Sequence, residues 1–223
     1  MRRILIATLI AAALGLPRAP ALEGQEYGSA VGWFGGAAYS TSLNSGVSVD
    51  AEDMLPGLSW TAGGHYDYWL GGGRFGLRLQ GAWQRHTIPW NQGDRRVSMI
   101  SGDIDLTVRL TSPEPGRTVT PYLLLGGGFV RWALGSGAPT SYPPGGVSYG
   151  GSEEFQPVAV GGLGFDFRTP MTWADQPLVI RLEGRDHVQF NSPFDPINPS
   201  VGDLGMIHNI SITLGIYTGI GGL

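Results

Sequence analysis

The feature that most constrains the fold is an alternation of apolar and polar residues with a period of two. In the clearest segment, Ile180 and Leu182 alternate with Arg181 and Glu183. Successive side chains of a β-strand point to opposite faces, so this pattern predicts a strand with one apolar face. Counted along the chain, it predicts eight strands of about ten residues or slightly more. They lie at 28–42, 58–70, 75–84, 99–110, 118–132, 157–168, 178–189 and 210–217.

The lengths of the strands and of the segments between them favour a barrel that crosses a membrane. A tilted strand needs about 9–11 residues to cross a bilayer. The connecting segments alternate between long ones at 43–57, 86–97, 133–156 and 191–206 and shorter ones at 71–74, 111–117 and 169–177. Short turns at one end and long extracellular loops at the other are typical of outer-membrane barrels. We therefore predict an all-β fold, a closed antiparallel up-and-down barrel of eight transmembrane strands; a soluble β-sandwich, which alternates similarly, is the alternative.

Composition excludes several other classes of protein. Only 14% of the residues are charged, 37 of 223 are glycine and none is cysteine, so disulfides and thiolate metal sites are excluded. The formal net charge of −4 gives no basis for binding nucleic acid. All 14 basic residues are arginine. Low charge and abundant glycine fit a barrel wall that faces lipid and must bend and coil.

The first 21 residues have the pattern of an export signal. Arg2 and Arg3 precede the apolar run 4–16, and Ala19-Pro20-Ala21 follows as a site for signal peptidase. Thirteen apolar residues form only about 20 Å of helix, which is too short to span a hydrocarbon core of about 30 Å. We predict a cleaved signal peptide at 1–21 and one barrel domain at 22–223.

With these features the chain resembles the small eight-stranded outer-membrane barrels, the OmpA/OmpX/OmpW-like group. The resemblance covers the whole mature chain and rests on its architecture and on the segments 121–128, 161–167 and 181–186. It implies the outer membrane of a Gram-negative-type bacterium, with membrane lipids, lipopolysaccharide and the barrel-assembly machinery as partners. Such barrels often end on an aromatic residue that the assembly machinery reads, and Tyr217 is the candidate here.

The interior of an eight-stranded barrel is just wide enough to be filled by side chains. The period of two assigns five acids and five arginines to this lumen. They are Asp67, Arg78, Asp103, Asp105, Arg109, Asp166, Arg168, Arg181, Glu183 and Arg185. Unpaired charges in a confined site are costly, so the balance predicts a plug of arginine–carboxylate pairs instead of a diffusion pore.

Catalytic and metal-binding alternatives depend mainly on three histidines near the outer rim, His86, His187 and His208. Their spacing matches no metal signature. Asp186 and His187 are adjacent, so in a strand they point to opposite faces and cannot form the acid–histidine pair of a barrel protease. His208 and Ser211 are three apart, which is the wrong parity for the His and Ser of a barrel lipid hydrolase. We expect no enzyme activity, no catalytic or metal site and no cofactor.

The expected role is therefore structural or interactive. The loops 133–156 and 191–206 are the candidate recognition surface for an unidentified ligand, and the first carries several aromatic residues among glycines. Acidic groups in the loops (Asp50, Glu52 and Asp53; Glu153 and Glu154; Asp195 and Asp203) are candidates for binding divalent cations or for a solvated surface. The alternative is an OmpW-like conduit for small hydrophobic molecules. The residues that favour it are Val130, Trp132, Val158 and Val160.

Overall fold

A computed structural model describes residues 28–41, 58–70, 73–88, 95–112, 117–134, 141–142, 147–148, 155–190 and 206–220. Ten strands lie within these ranges. They are β1 (Ser29–Ser40), β2 (Ser59–Trp69), β3 (Phe75–Ile88), β4 (Arg95–Arg109), β5 (Val119–Leu134), β6 (Ser141–Tyr142), β7 (Val147–Ser148), β8 (Phe155–Trp173), β9 (Gln176–Gln189) and β10 (Ile207–Gly219). In the part of the chain so described, no helix has the length and apolar character needed to cross a membrane.

Eight of these strands form a closed barrel in the order β1-β10-β9-β8-β5-β4-β3-β2, and the short β6 and β7 pair with each other. Every neighbouring pair is antiparallel, including β1 with β10, which closes the sheet. The connections β2–β3, β4–β5 and β8–β9 therefore lie at one end of the barrel, here called the turn end. The start of β1 and the end of β10 lie at the same end. The other four connections share the opposite end, the loop end. The predicted eight-stranded up-and-down barrel is confirmed.

In a water-soluble protein apolar side chains face the interior and charged ones face the solvent, and the two faces of this barrel wall show the reverse. On β9, the outward Leu182 is 41% exposed, whereas the inward Glu183 is only 3% exposed. The same division holds around the wall, with exposed leucine, isoleucine and aromatic side chains outside and buried charged or amide side chains inside. Such a wall suits contact with hydrocarbon, because water would be ordered against a continuous apolar girdle.

Two connections differ from the sequence prediction because the strands continue further. β3 reaches Ile88 and β4 begins at Arg95, so half of the predicted loop 86–97 is strand. β8 and β9 continue through the predicted turn 169–177 to a two-residue turn at Ala174 and Asp175, whose φ angles are 50° and 62°. The register is irregular between Arg168 and Thr172. Pro170 and Pro177 lie in this segment and break the apolar–polar alternation there. The sequence pattern therefore predicts shorter strands than the structure has.

Several predictions concern residues outside the described ranges. They are the signal peptide at 1–21, all of the acidic loop groups, and most of the loops 133–156 and 191–206. These stay predictions.

Candidate functional site in the barrel lumen

The barrel interior is filled by inward side chains in three layers. A cluster at the turn end contains Ala30, Trp69, Val179 and Tyr217. A larger apolar cluster lies towards the loop end. We call it the loop-end cluster, and it contains Val97, Met99, Tyr122, Leu124, Val130, Trp132, Val158, Val160 and Ile207. Between these two clusters lies a layer of buried arginines and carboxylates, and one tyrosine from each cluster, Tyr217 and Tyr122, is hydrogen-bonded to it.

Arg185 on β9 forms the first hub of this charged layer. Its Nη1 lies 2.6 Å from Asp103 Oδ1 and its Nη2 lies 2.8 Å from Asp105 Oδ2, both on β4. Its Nε lies 3.0 Å from Glu183 Oε1 on its own strand. The side chain is 3% exposed, so all three contacts are removed from water. One guanidinium thus connects β9 to β4 across the interior.

A second hub joins the opposite wall of the barrel to β9. Arg181 Nη1 lies 2.9 Å from Asp67 Oδ2 on β2, and Arg181 Nε lies 2.7 Å from Asp166 Oδ1 on β8. Arg78 on β3 pairs with the same Asp67 through Nε at 2.6 Å and also pairs with Glu183. Planar guanidinium groups suit this bridging because each can contact two carboxylates in fixed directions. The network therefore ties together strands that are not neighbours in the sheet.

Two tyrosines complete the charged layer. Tyr122 donates its hydroxyl hydrogen to Glu183, and Tyr217 donates to Asp166 Oδ2 at 2.7 Å. The guanidinium carbon of Arg181 lies 4.3 Å from the centre of the Tyr217 ring and 5.0 Å from that of Tyr122, which are cation–π distances. Gly164 makes room for Tyr122, since a Cβ at this position would lie 2.8 Å from the ring atom Cε1.

Eight of the ten residues predicted to form the plug lie together in this layer. The ion pairs described above join three arginines to five carboxylates, and the remaining arginines lie at the turn end. Arg109 lies over the Trp69 ring at 3.7 Å and donates from Nη1 to the carbonyl of Gly73. Arg168 is half-buried, two residues closer to the turn end than Asp166. Parity predicted the face of these residues but not their height in the barrel.

Sequence reasoning missed four members of the layer, two of them histidines. His187 Nε2 lies 3.1 Å from Asp103 Oδ2, and His65 Nε2 lies 3.0 Å from Arg181 Nη1. The others are Tyr122 and Tyr217, described above. All four share the inward parity of their strands, but the predicted network was limited to arginines and carboxylates.

The structure separates the residues of the catalytic alternatives. His187 points into the lumen, whereas its neighbour Asp186 lies on the outer wall, where its Oδ2 is 2.6 Å from His208 Nδ1. Ser211 is buried inside the barrel, on the face opposite to His208. His86 is buried beside Gln84, with its Nε2 3.1 Å from the amide oxygen Oε1. Within the described ranges, no group of three or more histidine, aspartate or glutamate side chains could hold a metal ion.

Comparisons with known proteins bear on the fold. No protein-family model and no curated protein sequence matches the chain. Among solved structures it is similar to Neisserial surface protein A, with a TM-score of 0.51 and 12% identity over 86% of this chain and 97% of that chain. It is also similar to the outer membrane protein OprG from Pseudomonas aeruginosa (TM-score 0.46, 13% identity, 86% and 97%). A third is Ail, the attachment invasion locus protein of Yersinia pestis (TM-score 0.43, 16% identity, 86% and 97%).

At these identities the likeness concerns the fold alone. The match to Neisserial surface protein A covers 86% of this chain and 97% of that chain, so the likeness extends over the whole barrel. The chain therefore has the fold of the small eight-stranded outer-membrane barrels.

Proposed function

We propose that this protein is an integral outer-membrane barrel with a structural and surface-interaction role and a lumen closed to diffusion. The observation that carries the closed lumen is the buried network of Arg78, Arg181 and Arg185 with five carboxylates. These groups pair across the interior from β2, β3 and β4 to β9. Opening a water-filled path would require several ion pairs to break together.

The location and orientation form part of the same proposal. The export signal at 1–21 and the apolar outer wall support the outer membrane of a Gram-negative-type bacterium. The barrel-assembly machinery then inserts the chain, and the loop end faces the outside. The loops 133–156 and 191–206 supply the recognition surface, and the protein has no enzymatic role.

The closed lumen is tested by single-channel recording. Purified barrels in planar lipid bilayers are expected to show no large, steady conductance, because the charged layer occupies the cross-section. The barrels must first show heat-modifiable migration on a denaturing gel, since closed barrels resist detergent until they are boiled. A large, stable conductance from barrels that pass this check would overturn the closed-lumen proposal.

The second candidate function is a conduit for small hydrophobic molecules, which the loop-end cluster favours. Sequence parity pointed to four apolar residues there, and the structure adds five more inward side chains. The added residues are Val97, Met99, Tyr122, Leu124 and Ile207. Trp132 is 1% exposed within this cluster, and its Nε1 donates to Gln189 Oε1 at 3.1 Å. An apolar lining of this extent would suit an apolar guest if the cluster opened.

Quenching of tryptophan fluorescence by a short bromoalkane separates the two functions. In the closed barrel Trp132 is shielded, so Trp132→Phe removes an unquenched emitter and the quenched fraction of the remaining fluorescence rises. The matched control Trp83→Phe removes a tryptophan from the outer wall, so the quenched fraction falls. A fall in both variants would show that the quencher enters the loop-end cluster, and would favour the conduit.

A further inference from the structure

Three arginines lie on the outer wall at the loop end of neighbouring strands. They are Arg85 on β3, Arg96 on β4 and Arg131 on β5, here called the arginine patch. Each has the outward parity of its strand. Arg96 is exposed and the other two are half-buried. The network in the lumen uses other arginines, so this patch has no part in closing the barrel.

The strand register groups the arginine patch around Ser98. Arg85 is directly opposite Ser98, Arg96 follows two residues from Ser98 on the same strand, and Arg131 is opposite Ile100. Directly opposite residues have Cβ atoms about 4.5–5.5 Å apart, and diagonal neighbours about 7–8 Å. Arg85 and Arg96 are diagonal neighbours, so their guanidinium groups can converge on a single headgroup. Arg131 lies on the other side of Ser98, where its guanidinium carbon is 5.6 Å from the centre of the Phe155 ring on β8.

The arginine patch lies at the upper border of the apolar wall. From the turn end upward, the outward residues of β4 and its flank are Leu110, Val108, Leu106, Ile104, Gly102 and Ile100. From Leu110 to Ile100 the chain takes ten residue steps, which span about 33 Å along a strand, or about 25 Å along the barrel axis for a tilt of about 40°. That height equals the apolar band of an outer-membrane barrel. Ser98 and Arg96 come next, and so fall at the level of the lipid headgroups.

The positive charge is local to this side of the barrel. On β1, β2 and β8, exposed aromatic side chains stand on the outer wall near the loop end: Tyr39, Trp60 and Phe155. The acidic Asp186 on the outer wall lies on β9, separated from β5 by β8, and pairs there with His208. Beside the patch, Trp60 and Trp83 pack edge to face with ring centres 4.6 Å apart. Indole rings favour the boundary between hydrocarbon and headgroups.

We propose that the arginine patch binds the phosphate groups of a lipopolysaccharide molecule in the outer leaflet. The inference rests on the outer-membrane location proposed above and adds the site at which the lipid is held. Arginine suits phosphate because its planar guanidinium donates two parallel hydrogen bonds to two phosphate oxygens. Two neighbouring arginines with a third close by suit a headgroup with more than one phosphate, while the apolar wall below accommodates the acyl chains.

Binding of lipopolysaccharide to the purified barrel in detergent, measured by native mass spectrometry, tests the site. Arg85→Gln/Arg96→Gln is expected to weaken binding about 30-fold, on the basis of the usual contribution of a basic residue near an anionic membrane surface. The matched control Arg74→Gln/Arg117→Gln removes two charges at the turn end and is expected to change binding less than twofold. Adding Arg131→Gln to the first variant should weaken binding further.

A second comparison uses the wild-type barrel alone, so it does not depend on the variants folding. Enzymatically dephosphorylated lipopolysaccharide should bind at least tenfold more weakly than the phosphorylated form, whereas equal binding would overturn the proposal. Equal losses in the two double variants would overturn it as well, and so would a preference for phosphatidylglycerol over lipopolysaccharide. Failure of the underlying proposal looks different, because a protein that is not a closed membrane barrel would not migrate as a heat-modifiable species.

Discussion

Replacing Arg185 by methionine is expected to lower the free energy of unfolding by about 3–5 kcal/mol, the usual cost of removing one partner from a buried ion pair. Arg185 contacts Asp103, Asp105 and Glu183, and all three carboxylates are at most 3% exposed. Methionine keeps an unbranched side chain but has no charge, so Asp103 and Asp105 stay buried without this counter-ion, while Glu183 retains its pair with Arg78. Unfolding by urea in phospholipid vesicles, followed by tryptophan fluorescence, measures the change.

Two further variants show whether this loss comes from charge. Arg74→Met, at the exposed turn between β2 and β3, is expected to change stability by less than about 0.5 kcal/mol. Adding Asp103→Asn to Arg185→Met should recover part of the stability, because it removes one uncompensated carboxylate. If Arg185→Met proved as mild as Arg74→Met, the charged layer would contribute little to holding the barrel closed.

The faces of the strands were predictable because a period of two depends on local geometry alone. Once Leu182 is assigned outward, Arg181 and Glu183 must point inward, and both do. The number and order of strands follow for a similar reason, since alternating long and short connections leave an up-and-down barrel as the simplest closed arrangement. Arg181 and Glu183 therefore needed no knowledge of their partners to be placed in the lumen.

The partners themselves could not be predicted from the sequence. Arg185 and Asp103 are 82 residues apart in the chain, and they meet only because the stagger of the closed sheet brings β4 and β9 to the same height. The alternation of apolar and polar residues within one strand contains no information about that stagger. The same limitation applies to Arg109, which is buried at the turn end against Trp69 and not in the charged layer.

The size of the loop-end cluster was missed for a different reason. Val97 falls in the segment 86–97 that the sequence predicts as a loop, and Met99 shares its strand face with the charged Asp103 and Asp105. Both are completely buried in the lumen. An inward position in a membrane barrel tolerates either polar or apolar side chains, provided that neighbours match, whereas an outward position near the bilayer midplane strongly favours apolar ones. The residues of the inner face are consequently harder to predict from the sequence than those of the outer face.

Replacing Leu182 on the outer face by arginine is the second substitution expected to have a large effect on stability. Leu182 lies midway along β9, and its neighbours in the register, Leu214 and Phe165, are exposed on the same wall. An arginine near the bilayer midplane costs about 2–4 kcal/mol, falling to about 0–1 kcal/mol near the interfaces. We expect the full cost at Leu182 and the lower one for Thr87→Arg, which places the same side chain on the outer wall at the loop end of β3.

The same urea titration in vesicles measures both arginine variants, with Leu182→Val as the control for a smaller side chain. Leu182→Val should cost less than about 1.5 kcal/mol, because it retains an apolar surface against lipid. The decisive quantity is the difference between the two arginine variants, since both add the same charge and length and differ only in depth. Equal costs at Leu182 and Thr87 would mean that the apolar wall does not contact hydrocarbon, and the membrane-spanning assignment would then fail even though the barrel itself is closed.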